Sequence, residues 1–153
     1  MNNEITKQKN ISLLANLPTH LSALSQADYI QKCCASVGFD WDNIDDVFDK
    51  IVEEVAEVKA ELPQPQITKA KIEKTEGSLA LKEEIGDLLF AVVNLCRHIQ
   101  ADPEVLLQNA NKKFSKRFHG VETRVIKSGS GFAEHSLAEL EVYWQQVKNN
   151  EKK

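Results

Sequence analysis

DKIVEEVAEV, residues 49–58, and LKEEIGDLLFAVVNLC, residues 81–96, decide how this chain is read. Each holds carboxylates three positions apart: Glu54 with Glu57, and Glu84 with Asp87. Residues three apart are neighbours on a helix surface. At about 100° per residue, Val47, Val58 and Ile51 fall within about 60° of Glu54 on one side, and Glu57 lies about 60° to the other. Around Glu84, Leu95, Leu88 and Leu81 repeat this pattern, with Asp87 taking the place of Glu57. The two helices thus carry the same acids in the same phase, at the border of the apolar stripe. A lone acidic pair of this kind is ordinarily a solvated charge run. Two in matched phase point to four carboxylates converging on one place, which only cations make tolerable.

The rest of the composition sets bounds. A chain of 153 residues, 42% hydrophobic and 27% charged, reads as one soluble globular domain. The formal charge of -4 argues against a nonspecific nucleic-acid binder. No run approaches the roughly 18 apolar residues of a membrane span. The opening MNNEITKQKN is polar and lacks a signal-peptide core. Cys33, Cys34 and Cys96 lack metal-ligand spacing and read as reduced core thiols of a cytoplasmic protein.

The expected fold is all-α: four main helices and a short C-terminal one. Residues 1–22 form a polar segment expected to be disordered, ahead of a domain over residues 23–149. The first helix spans about Ser25 to Val37 and closes at Gly38. The second starts after Asp40 or Asp42, either of which would cap it, and stops at Pro63. Pro63 to Gly77 is a long connection, read as a surface loop, a lid or an extension onto a partner. Ser78 caps a third helix running to about Gln100. It is apolar almost all round, as suits the middle of a bundle or a subunit interface. Asp102-Pro103-Glu104 starts the fourth helix, which runs to about Ile126. Ser128 to Gly131 breaks the chain. Ser136 and Glu139 form a capping box for the last helix, with Leu137, Leu140, Trp144 and Val147 on one face.

Clustered carboxylates without histidine or cysteine make an oxygen-only site, suited to magnesium, manganese or calcium. A di-iron bundle would need Glu-x-x-His on two helices. Glu57 and Asp87 stand where those histidines would be, and His98 alone cannot replace both. Magnesium shares its shell with waters and phosphate oxygens. A phosphate site also needs cations, and Lys113 and Arg117 lie four apart on one helix face, with Lys50 one turn before Glu54. Trp144 is either a core residue or a platform for a base. A noncatalytic helical regulatory protein is the alternative from another class.

Together these residues resemble the MazG-type, all-α nucleoside triphosphate pyrophosphohydrolases, most closely the C-terminal catalytic half of the two-domain bacterial members. QKCCASVGFDW, DKIVEEVAEV, LKEEIGDLLFAVVNLCRHI, NANKKFSKRF and VYWQQVK carry the resemblance in order, from about Ala23 to Lys148. It implies magnesium on Glu54, Glu57, Glu84 and Asp87, with manganese as a substitute. It implies nucleotide at Lys50, Glu53, Lys113, Arg117 and Trp144. Asn94, two turns beyond Asp87 on the same face, is expected to join them. Glu53 is the spare carboxylate for a general base. The family usually forms homodimers, so dimerisation is expected to complete the bundle. The implied reaction is hydrolysis of ribo- or deoxynucleoside triphosphates to monophosphate and pyrophosphate, serving nucleotide-pool clearance. A related N-terminal domain precedes this one in two-domain members, so a one-domain homologue or a fragment is expected. Two departures stand out: the long Pro63 to Gly77 connection, and Ala80, with Lys82 nearby, where a basic residue is often found.

Overall fold

The computed structural model describes residues 12–62 and 78–151. Among these, the elements are α1 (Ala23–Ser36), α2 (Ile44–Glu61), α3 (Leu79–His98), α4 (Pro103–Ser128), a 3-10 turn (Phe132–Glu134) and α5 (Leu137–Asn150), with no strand. The all-α expectation holds. The chain divides into two units, one ending at Glu104 and one beginning at Val105. The Pro63 to Gly77 connection and residues 1–11 lie outside the described residues.

In the first unit, α2 packs along α3, and α1 packs on α3. Ser22 caps α1, its Oγ accepting from the Ser25 amide at 3.2 Å. Gly38 then takes φ +84°, a left-handed conformation that most side chains resist. The cap of α2 corrects the sequence reading: it is Asn43, whose Oδ1 accepts from the Asp46 amide at 3.0 Å. Asp40 is diverted to a guanidinium on α3. Ser78 caps α3 as expected, accepting from the Leu81 amide at 3.1 Å. That helix ends at His98, and Gln100 takes the turn at φ +56°. Asp102 Oδ1 accepts from the Glu104 amide at 2.8 Å, one residue past Pro103.

Val47 on α2 and Val93 on α3 are the most deeply buried apolar side chains of this unit. The far side of α3 is different. Ile85, Leu89 and Val92 are 41–57% exposed, so the described residues do not bury the helix on all sides.

The second unit joins α4 to α5 through Val121, Val125 and Val147, with Leu140, Tyr143 and Trp144 against them. The capping box is present: the Ser136 amide donates to Glu139 at 2.7 Å, and the Glu139 amide donates to Ser136 Oγ at 3.3 Å. Leu137, expected on the packed face, is instead 82% exposed. It opens the helix, before the chain has turned fully onto α4. Gly120 permits the close approach of the two helices. A Cβ there would lie 2.8 Å from Val147 Cγ2. Gly120→Ala is therefore expected to destabilise the protein by about 1–3 kcal/mol through overpacking. Chemical denaturation measures this, and a second change, Val147→Ala, should recover part of the loss.

Candidate active site

Glu54 lies on the face of α2 turned toward α3 and is only 4% exposed. A buried carboxylate is costly unless paired. Lys50, one turn earlier, supplies the pair: its Nζ lies 2.6 Å from Glu54 Oε1 and 3.2 Å from Glu53 Oε1. The hydrogen bond it donates to Glu54 holds the Lys50 ammonium well above the usual lysine range, against the loss of water that pulls it down. Glu54 Oε2 is buried and has no hydrogen-bond partner.

Across the α2–α3 seam, Glu84 and Asp87 meet this carboxylate. Oxygens of Glu54, Glu84 and Asp87 all lie within 4.8 Å of one another. The donors are oxygen only, as a hard divalent cation requires. Glu54 also carries a buried oxygen with no partner, so these residues fit the ion that the resemblance implies. Glu57 stands outside the tight trio but feels it. Loss of water, then the Glu54 charge, push its carboxyl above the usual range.

Asn94 lies in the same unit and meets a network the sequence reading did not foresee. Arg97 donates to Asn94 Oδ1 from Nε at 3.0 Å and from Nη2 at 2.8 Å. Its Nη1 donates to Asp40 Oδ2 at 2.8 Å, and Nη2 donates to Asp40 Oδ1. His98 Nε2 sits 3.3 Å from the same Asp40 oxygen, so this histidine turns to Asp40. Gln31 on α1 was also missed. It is 6% exposed, and its Nε2 donates to the Phe90 carbonyl at 2.8 Å. A polar residue beside Ile30, on a helix that must pack, was the available signal.

In the second unit, Arg117 Nε donates to Glu151 Oε2 at 2.8 Å, which lowers the Glu151 carboxyl. Lys113 is exposed. Trp144 lies 5.1 Å from Phe114, centroid to centroid, and Phe118 stacks between Phe114 and Phe132. These rings line an open cavity of about 430 Å3. The spacing of Phe114 and Phe118, one turn apart, was the sequence signal for this aromatic row.

An all-α protein with an oxygen-only carboxylate cluster across two helices is the class so defined. Residues 43–125 match the model of the MazG nucleotide pyrophosphohydrolase domain, and the chain belongs to that family. A nucleoside triphosphate pyrophosphohydrolase of Escherichia coli K12 is 45% identical over 140 residues, covering 92% of this chain and 50% of that protein. The nucleoside triphosphate pyrophosphohydrolase/pyrophosphatase MazG of Thermotoga maritima is 35% identical over 144 residues, covering 94% and 51%. The chain thus spans about half the length of these curated relatives. Among the described residues, no helix is long and apolar enough to cross a membrane.

Asp40 carries a pH signature. The hydrogen bond from Arg97 leads the causes that lower its carboxyl, with burial opposing. A depressed acid adds stability above its unfolded pKa and loses it as pH falls through the folded value. Asp40→Asn should therefore cost about 1 kcal/mol at pH 7. The gap between variant and wild type should close on acidification below the ordinary aspartate range, read from denaturation midpoints across pH.

Proposed function

We propose that the protein hydrolyses nucleoside triphosphates, ribo or deoxy, to the monophosphate and pyrophosphate, clearing the nucleotide pool of the cytoplasm. The carrying observation is the carboxylate cluster of Glu54, Glu84 and Asp87, in which Glu54 is buried with one oxygen lacking a hydrogen-bond partner. The names of the relatives support the reaction class.

Glu54, Glu57, Glu84 and Asp87 would hold magnesium, or manganese in its place. When bound, the ion supplies charge to the triphosphate oxygens and acidity to the attacking water. Glu53, exposed and beside Lys50, takes the proton from that water as general base. The new bond forms to the α-phosphorus, and the bond to the bridging oxygen breaks toward pyrophosphate. Lys50 exchanges Glu54 for phosphate. Lys113 and Arg117 neutralise the charge that develops on pyrophosphate as it leaves. Arg117 exchanges Glu151 for phosphate to do so. Trp144 stacks on the base, the aromatic cavity beside it supporting this role. Asn94 contacts the nucleoside.

The protein acts as a homodimer in this reading. Ile44, Phe48 and Val52 on α2 recur every four residues and are 37–68% exposed. Ile85, Leu89 and Val92 form a similar stripe on α3. A second copy covering both stripes would complete the bundle and bury apolar area that is otherwise wetted.

Hydrolysis in water labelled with heavy oxygen tests the reaction: the label should enter the monophosphate alone. Label in orthophosphate, with pyrophosphatase excluded, would mean attack at a different phosphorus. Millimolar magnesium should raise the melting temperature, and Asp87→Asn should weaken that response. A melting temperature blind to magnesium in both proteins counts against the metal assignment.

Trp144→Ala should raise KM and flatten the preference among bases, while Arg117→Ala should mainly lower kcat. An unfolded Trp144→Ala protein, with wild-type tryptophan fluorescence blind to nucleotide, would instead make Trp144 a core residue.

A further inference from the structure

Two side-chain amides face a small cleft between α1, the α1–α2 loop and α3, and both have their polarity fixed. The cleft is lined by Gln31, Trp41, Phe90, Asn94 and Arg97, among others, and encloses about 70 Å3. A guanidinium has no acceptor, so the atom of Asn94 that meets Arg97 must be the oxygen. Arg97 grips that oxygen twice, at 3.0 and 2.8 Å, and is itself forked onto Asp40. The Asn94 Nδ2 hydrogens must then point away from Arg97. The mirror-image argument applies to Gln31. The Phe90 carbonyl can only accept, so it holds Nε2 and leaves Oε1 turned away from it. That oxygen is buried and has no hydrogen-bond partner. An unmet buried acceptor is expensive, and its presence calls for a ligand or a water.

We propose that this cleft receives a sugar hydroxyl of the nucleotide, the 3′-hydroxyl that ribo- and deoxynucleotides share. Asn94 and Gln31 bind it; Arg97 and Asp40 are positioning residues acting through Asn94. A hydroxyl is both donor and acceptor, so one group meets the acceptor on Gln31 and the donor on Asn94. Size favours it: a cleft of about 70 Å3 has room for a few water-sized groups and not for a base. Position favours it too. Asn94 lies seven residues beyond Asp87 on one helix, in phase and about 10 Å along the axis. A nucleotide with its α-phosphate at Asp87 and its nucleoside along α3 would reach it. The inference rests on the enzymatic reading above, and adds a sugar contact to it.

The test compares a 2′-deoxynucleoside triphosphate with the 2′,3′-dideoxy compound of the same base. In the wild type, losing the 3′-hydroxyl should raise KM by about tenfold, the scale of an unmet buried polar group. Arg97→Leu and Asn94→Ala should each shrink that ratio to below about threefold, mainly through KM on the 2′-deoxy substrate. Arg97→Lys, which keeps a cation at Asp40, should restore part of it. Equal KM for the two substrates in the wild type overturns the inference and leaves the reaction standing. A full ratio in folded Arg97→Leu overturns the positioning role. Should Arg97→Leu not fold, Asn94→Ala and Arg97→Lys carry the comparison. If the wild type hydrolyses neither compound, the enzymatic reading falls, and melting temperatures with each nucleotide and magnesium decide the cleft. A larger rise with the 2′-deoxy compound supports it, and equal rises overturn it.

Discussion

One carboxylate, Glu54, sits where a carboxylate should not be, and the first unit is arranged around that constraint. Taking an ion out of water costs several kcal/mol even after relaxation. Lys50 meets one oxygen at 2.6 Å, and the other has no partner at all. An unmet buried acceptor leaves a standing cost of about 1–3 kcal/mol. The apolar packing of α2 on α3, with Val47 and Val93 nearly inaccessible, has to carry that cost. Loss of water and the nearby Glu54 charge push the neighbouring Glu57 carboxyl above its usual range. The cluster is therefore electrostatically incomplete as a set of protein groups.

The α1–α2 loop is tied to this seam by a second polar device. Asp40 gives up helix capping to receive a forked guanidinium from α3, and Asn43 caps α2 instead. Forked pairs of this kind fix geometry as well as charge. The consequence is local: the Asn94 amide cannot flip while Arg97 holds its oxygen. In the second unit, Arg117 is likewise held, by Glu151, while the aromatic row from Phe114 to Phe132 leaves an open apolar cavity beside Trp144. Both units thus offer groups whose orientation is set before any ligand arrives, which lowers the entropy lost on binding.

Much of this was written in the order of residues. Helical periodicity placed α2 and α3, because a helix that packs must show an apolar stripe every three or four positions. Capping residues at Ser78, Asp102 and Ser136 marked starts, because free amide groups in a first turn need an acceptor nearby in the chain. The matched phase of Glu54 with Glu84 foretold a carboxylate cluster, since both acids border stripes that face one another. Five ordered segments carry the family resemblance. What the tertiary structure alone decided are the contacts between residues far apart in sequence. Gln31 meets the Phe90 carbonyl, Asp40 takes Arg97 from across 57 positions, and Glu151 takes Arg117. It also decided that Glu54 is buried while Glu57 is exposed, although both sit at the edge of one stripe. Periodicity gives the angle of a side chain about its own helix. How deep that angle lies, and which distant group waits there, depends on how the neighbouring helix is laid against it.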